Sequence, residues 1–290
     1  MPYILSHASF AYTLGRQLNC FTDRESLSLY MLGCLGPDIY FFDRLPPTPF
    51  IPHQKKLGNK LHDKPCNHIV KCLMADTPEV LKPFLFGFLT HIALDSTLHP
   101  YICARYDGLD HTRFEGDIDA VMYARFKSVV PFRDLFARPD NLSELNDLMH
   151  RLCVNVLGTS DPKAYQRSVR KMLRLFPVLF DPRGHRYRFL HSFEHMIGKD
   201  NALSGFILAA PRSNYPDCMN EGHHVWHARL FPEADRMDSV DEMFADAALF
   251  AQKLIFLARD NDMPALEQAC LHRTMSDGPL PEQRPDQAIT

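Results

Sequence analysis

One tryptophan, Trp226, is all that the 290 residues contain, and none of the eight cysteines stands in a C-x-x-C pair. The missing pair argues against a zinc ribbon or a thioredoxin-like redox site. Cys20, Cys34, Cys66, Cys72, Cys103, Cys153, Cys218 and Cys270 are expected instead to be free, mostly buried thiols. There is no run of 18 apolar residues: the most apolar stretch, 83–98, is broken by His91 and Asp95, so no transmembrane segment is expected. Neither charge sign is in excess. With 32 Lys and Arg against 35 Asp and Glu, the net charge of −3 argues against a broad surface for nucleic acid. The first ten residues show no basic stretch and no cleavage pattern; together with the scattered cysteines this gives a cytoplasmic expectation. Strand-type alternation is nearly absent, and 206–208 is too short to count.

What is present is helical patterning. Hydrophobic residues make up 46% and charged residues 23%, enough apolar material to exclude wholesale disorder. Ser6 can cap a helix over 6–18, in which Phe10, Leu14 and Leu18 recur every fourth residue. A second helix over 25–35 ends at Gly36-Pro37, and the four prolines of 43–52 make a loop. Helical pattern resumes over 55–73 with an interruption at Pro65. Thr77 and Pro78 open another helix, which Pro100 is expected to stop at His99. Further helices are predicted over 110–126, 143–157, 162–176, 187–197, 239–258 and 264–273. No repeat or linker divides the chain, so the expectation is an all-α protein with a single multi-helix domain over 1–275. The proline-rich stretch 276–290 is read as a disordered tail.

The chemistry concentrates in the first 115 residues. In His91-Ile-Ala-Leu-Asp95-Ser-Thr-Leu-His99 the ligand-type residues stand at i, i+4 and i+8, which on an α-helix is one face. Phe84 and Phe88 precede them on that stripe, so the face assigned to the core carries two imidazoles and a carboxylate. A buried carboxylate needs partners; these groups must pair with each other or hold metal. His111 and Glu115 repeat the i, i+4 spacing twelve residues later. Asp38 follows the Gly36-Pro37 turn, His62 lies in Leu57-Gly-Asn-Lys-Leu-His, and His7 sits in the first turn of the first helix. Taken singly, Asp38 reads as a turn aspartate and His7 or His62 as an ordinary packing histidine. Together His7, Asp38, His62, His91, Asp95, His99, His111 and Glu115 are more than one ion needs. They point to two or three cations of the zinc type sharing a carboxylate, an arrangement suited to clamping a phosphate ester.

This ordered set resembles the zinc-dependent phospholipase C family of bacteria, with the single-strand-specific zinc nucleases as more distant relatives. The matching pieces are Ser6-His7, Gly36-Pro37-Asp38, 57–62, the run from Gly87 through His99-Pro-Tyr, and His111 to Glu115 with Asp117 and Asp119 after it. The resemblance implies an all-helical fold with a zinc cleft. Asp38, His62, His91 and Asp95 would hold one zinc, His99, His111 and Glu115 a second, and His7 with the other Asp95 oxygen a third. Asp38 would also take a proton from the attacking water. Secreted members begin, once processed, with a tryptophan that binds the third ion; this chain starts Met1-Pro2, which leaves the His7 site short of ligands. His53 and His68 remain alternatives to His62, which is preferred for its Leu-Gly-Asn context.

The implied function is a metal-dependent phosphodiesterase, phospholipase C-like, acting on a phosphate-ester substrate with phospholipid among the candidates. Two other readings stay open. His62-Asp63 is an H-D pair of the kind found in nucleotide phosphohydrolases, although it leaves His91, His99, His111 and Glu115 unused. A non-catalytic helical protein with a structural metal is the other. In the second half, His223, His224 and His227 near Trp226, and His191 with His195, are read mainly as surface or packing residues. Arg167, Arg170, Lys171 and Arg174 form a basic helical stripe, most simply a solvated face.

Overall fold

A computed structural model describes residues 4–44, 57–106, 108–198, 203–210 and 215–279. His53 and most of the proline-rich loop lie outside these residues. The fold is all-α, with two short two-stranded ribbons. Helices α1 (Ile4–Gln17) and α2 (Arg24–Cys34) lead into a 3₁₀ segment, Gly36–Arg44. Helices α3 (Leu57–His62) and α4 (Cys66–Asp76) are separated at Pro65, as the sequence predicts. Then come α5 (Lys82–Arg105), α6 (Gly108–Phe126), α7 (Leu142–Leu157), α8 (Ala164–Leu179) and α9 (His185–Met196). A hairpin of β1 (Trp226–Ala228) and β2 (Phe231–Arg236) precedes α10 (Val240–Arg259) and α11 (Met263–Ala269). Last is a ribbon of β3 (Arg273–Thr274) and β4 (Gly278–Pro279).

Helix α5 is the axis of the molecule because its sequence leaves it no solvent face. From Phe84 to Ile102 all but Thr97 are buried. A helix apolar all round must be surrounded, and α1, α2, α4, α6 and α10 pack about it. The closest approach is between α2 and α5. A Cβ on Gly87 would collide with the Tyr30 carbonyl and one on Gly33 with the Phe84 carbonyl, each within about 3.0 Å of the other glycine's Cα. Two glycines facing each other bring the backbones together and set the end of α2 beside His91.

Several expectations need correcting. Ser6 lies inside α1 and does not cap it; its hydroxyl donates to Asp119. The 3₁₀ segment runs to Arg44, two residues into the stretch expected as loop; the rest of that stretch lies outside the described residues. Thr77 ends α4, its amide bonded to the Leu73 carbonyl, and α5 starts later at Lys82 with Pro83 in its first turn. Pro100 does not stop α5, which continues to Arg105. The missing N–H frees the Ser96 carbonyl, and Gly278 lies directly against that carbonyl and the Pro100 ring. The hairpin at 226–236 goes unnoticed in the sequence because only Trp226 and Ala228 face inward while most of β2 is exposed. Of the expected tail, 276–279 is folded: the Ser276 amide bonds to the His62 carbonyl and β4 pairs with β3. Residues 280–290 lie outside the description.

The α2–α5 contact yields a test. Gly87→Ala should lower unfolding stability by about 3 kcal/mol, the upper end of overpacking costs, because the obstacle is backbone. Denaturant titration measures it; an unchanged midpoint would contradict the contact.

Candidate metal centre

Five histidines and three carboxylates from α1, the 3₁₀ segment, α3, α5 and α6 meet in the interior. All are buried except His111, which is partly exposed. Asp95 is the hub. Its Oδ1 lies 2.9 Å from His7 Nε2. Its Oδ2 lies 3.2 Å from both His62 Nε2 and His91 Nε2 and 3.6 Å from His99 Nδ1. Asp38 Oδ1 is 3.1 Å from His62 Nε2. Glu115 Oε1 is 2.9 Å from His111 Nε2 and 3.5 Å from His99 Nε2. The ring of His7 stacks on that of His91 with centroids 4.5 Å apart.

Three imidazoles are fixed by backbone. His62 Nδ1 donates to the Gly58 carbonyl at 2.7 Å, His91 Nδ1 to Cys34 at 3.2 Å and His99 Nδ1 to Met275 at 2.7 Å. Each bond sets the tautomer and turns Nε2 toward the carboxylates, as the second shell of a metal ligand does. Gly36, at φ +48°, makes room for the His91 ring where a Cβ would sit 2.5 Å from it. Asp119 on α6 reaches the first turn of α1, accepting from Leu5 N at 3.1 Å, Ser6 N at 2.8 Å and the Ser6 hydroxyl at 2.6 Å. That cap holds the turn which carries His7.

Both oxygens of Asp38, both of Asp95 and His91 Nε2 are buried without a hydrogen-bond partner among the described residues. Five such atoms converging would be costly unless something else satisfies them. Their separations decide what. Donors about 2.1 Å from a tetrahedral ion stand roughly 3.4 Å apart, close to the 2.9–3.6 Å spacings around Asp95. Three groups offer donor atoms within 4.8 Å of one another: His7, Asp38 and His91; His62, His91 and Asp95; His99, His111 and Glu115. Mixed imidazole and carboxylate donors suit zinc. The residues fit.

Without metal the cluster holds itself together by charge. Burial works against protonation of His62, but Asp38 and Asp95 outweigh it and hold the imidazole well above its ordinary range. For His99, burial is overcome by Asp95 and Glu115, to about 9; for His111, by Glu115 and Cys103, to about 10. Burial dominates at His91, which is lowered. Asp95 resists burial because His91, His99 and His7 surround it, and stays well below the carboxylate range. Burial lifts Asp119 to about 6 against its bonds from Ser6 and Leu5.

A family model described as zinc dependent phospholipase C matches residues 2–162. The chain belongs to that family. It matches no curated protein and no solved structure. All eight residues of the cluster fall inside the span matched by the zinc-dependent phospholipase C model. What the sequence reading missed is the support from outside that span. The amides of Met275 and Ser276 donate to the His62 carbonyl at 3.2 and 3.3 Å, and the Met275 carbonyl accepts a hydrogen bond from His99 Nδ1. One strap thus braces a residue of α3 and a residue of α5.

Other candidates lie elsewhere. His68 is exposed on α4 and Asp63 is exposed, accepting from Ser276 Oγ, so neither joins the cluster. His223, His224 and His227 are exposed around the hairpin, facing the Met237 carbonyl, Asp217 and Asp235. His191 stacks on Tyr187. In the basic stripe, Arg167 and Lys171 bind Asp43. All eight cysteines are free, six of them buried. No helix among the described residues is long and apolar enough to cross a membrane.

Two tests follow. Removing residues 273–290 should weaken zinc binding about 10–100-fold, the usual cost of a lost second-shell partner; isothermal titration reads it, and unchanged affinity would sink the bracing role. The second concerns pH. His99 and His111 have folded pKa values raised above the ordinary 6.5, so in metal-stripped protein their contribution is full below pH 6.5 and disappears as pH rises through about 9 and 10. The melting temperature of stripped protein should therefore fall across that window. Zinc uptake, which displaces those protons, should tighten over the same range; a stripped protein that grows more stable would contradict it.

Proposed function

We propose that this chain is a zinc-dependent phosphoric ester hydrolase, phospholipase C-like, whose cleft is the cluster around Asp95. The observation that carries the proposal is the set of buried, unsatisfied oxygens of Asp38 and Asp95 facing a ring of imidazoles. In this reading Asp38, His62, His91 and Asp95 would hold one ion and His99, His111 and Glu115 a second. His7 with Asp95 would hold a third. Asp95 Oδ1 lies nearest His7 and Oδ2 nearest His62 and His91, so the two oxygens would serve different members of the donor set.

Bound zinc would polarise phosphoryl oxygens and lower the pKa of water toward ~7. The protein's own part is positional. His62, His91 and His99 are held in one tautomer by backbone carbonyls and need not reorient during turnover. Asp38 lies 3.1 Å from His62 Nε2, so it can receive a proton from a nucleophilic water and remain beside an imidazole. Seven of the eight residues are buried, which strengthens each of these interactions.

The substrate class is a phosphodiester, with phospholipid favoured by family membership. Eight unpaired thiols favour a reducing compartment. The HD-type reading has little support, since Asp63 faces away from the cluster. Purified protein should contain two or three zinc ions per chain and lose hydrolysis of a generic phosphodiester on chelation. Asp38→Asn should lower kcat by roughly 10²–10⁴-fold with the melting temperature little changed. A metal-free protein with full activity would end the proposal; an unfolded Asp38→Asn product would transfer the site to a structural role.

A further inference from the structure

We propose that the outer face of α9 is a docking surface for anionic phospholipid bilayers. The helix turns apolar side chains away from the protein. Phe189 is 72% exposed, Phe193 49%, Met196 74% and Ile197 48%. Their spacing of four, three and one residues places them on one side of the helix, opposite Tyr187 and Glu194, which are buried. Isolated exposed apolar residues are ordinary, but four adjoining ones on a single helical face are not.

The exposure is not a sign of a loosely placed helix. Asp181, itself buried, accepts the Tyr187 amide at 3.0 Å. Glu194 accepts the Leu203 amide, the Ser204 amide at 3.1 Å and the Ser204 hydroxyl at 2.5 Å. Tyr187 packs with Ile207 and Ala210. The inner face is anchored by two acids and an apolar cluster, so the outer face is held in place.

Charge selects the occupant. Asp181 and Glu194 are the only acids between residues 181 and 198, and both are buried. Arg183 and Arg188 are exposed at the same end of the helix, and Arg186 spans to the carbonyls of Pro177 and Val178. Aromatic and aliphatic residues with exposed arginines at one end of the helix match a surface of acyl chains under phosphate. The surface requires no hydrolytic activity, and it lies beyond the span that the family model matches.

The test is co-sedimentation of the full-length protein with vesicles of phosphatidylcholine mixed with phosphatidylserine. The protein should sediment with these, sediment less with phosphatidylcholine alone, and release as salt is raised. Phe189→Ser with Met196→Ser should weaken the partition roughly tenfold or more. Both side chains are mostly in solvent, so the melting temperature should not move. Arg183→Glu with Arg188→Glu should cost roughly tenfold or more on the anionic vesicles. Three results would each overturn the proposal: no sedimentation of the wild-type protein, variants that bind as it does, or a concentration-dependent dimer in ultracentrifugation that the serine variant abolishes. Vesicle binding without phosphodiester hydrolysis would leave this surface standing and remove only the hydrolase reading.

Discussion

Everything in the first half of the chain answers to one buried charge. An ionised carboxylate in an apolar interior is too costly unless it is compensated, and Asp95 is buried in the middle of the most apolar helix of the protein. Four imidazoles lie within 3.6 Å of its oxygens. The compensation comes from α1, α3 and α5 itself, so those elements cannot be displaced separately without stranding the charge. The Gly33–Gly87 approach, the Gly36 turn and the Asp119 cap are the backbone devices that bring these elements within reach. Protons can perform the compensation, since Asp95 and its neighbours hold His62 and His99 above the ordinary imidazole range. A divalent cation performs it with fewer particles and also satisfies the oxygens of Asp38.

The carbonyls that fix the imidazoles are not arbitrary. Cys34 is the last residue of α2, where helix carbonyls have no intrahelical partner and carry partial negative charge. Its bond to His91 Nδ1 serves both needs at once. Gly58 belongs to the same short helix as His62, so that ring is held by its own turn. Met275 comes from the opposite end of the chain. The three bonds therefore span local, intermediate and long sequence separations, and the last of them closes the fold.

These separations explain what could be read from the sequence. His91, Asp95 and His99 share a face by helical periodicity alone, and His111 with Glu115 repeats the spacing; any helix at those positions presents them together. Asp38, His62 and His7 have no such internal signal. Their convergence depends on how α1, the 3₁₀ segment and α3 pack on α5, and only their order beside the other motifs connected them in the sequence. Asp119 stood in the resemblance without a role, because a side chain that caps a helix 113 residues away leaves no local mark. Met275 was invisible for a stronger reason: what it contributes is a main-chain carbonyl, which every residue has. The α9 face was hidden in the same way, since period 3.6 identifies a helix but not which side of it finds a partner.

Pro100 shows how one residue can be read correctly in isolation and wrongly in context. Its ring removes an amide from α5 and leaves the Ser96 carbonyl without an intrahelical bond, normally the end of a helix. Here Gly278 presses against that carbonyl and against the ring, and only a residue without a Cβ can approach so closely. The gap that proline makes in α5 is thus the seat for the returning β3–β4 ribbon, one residue from His99. Seating the ribbon places the Met275 carbonyl on His99 and the Met275 and Ser276 amides on His62. A feature that would weaken an isolated helix is the point at which the end of the fold engages the cluster, so the cluster is complete only when the chain beyond the matched span has folded onto it.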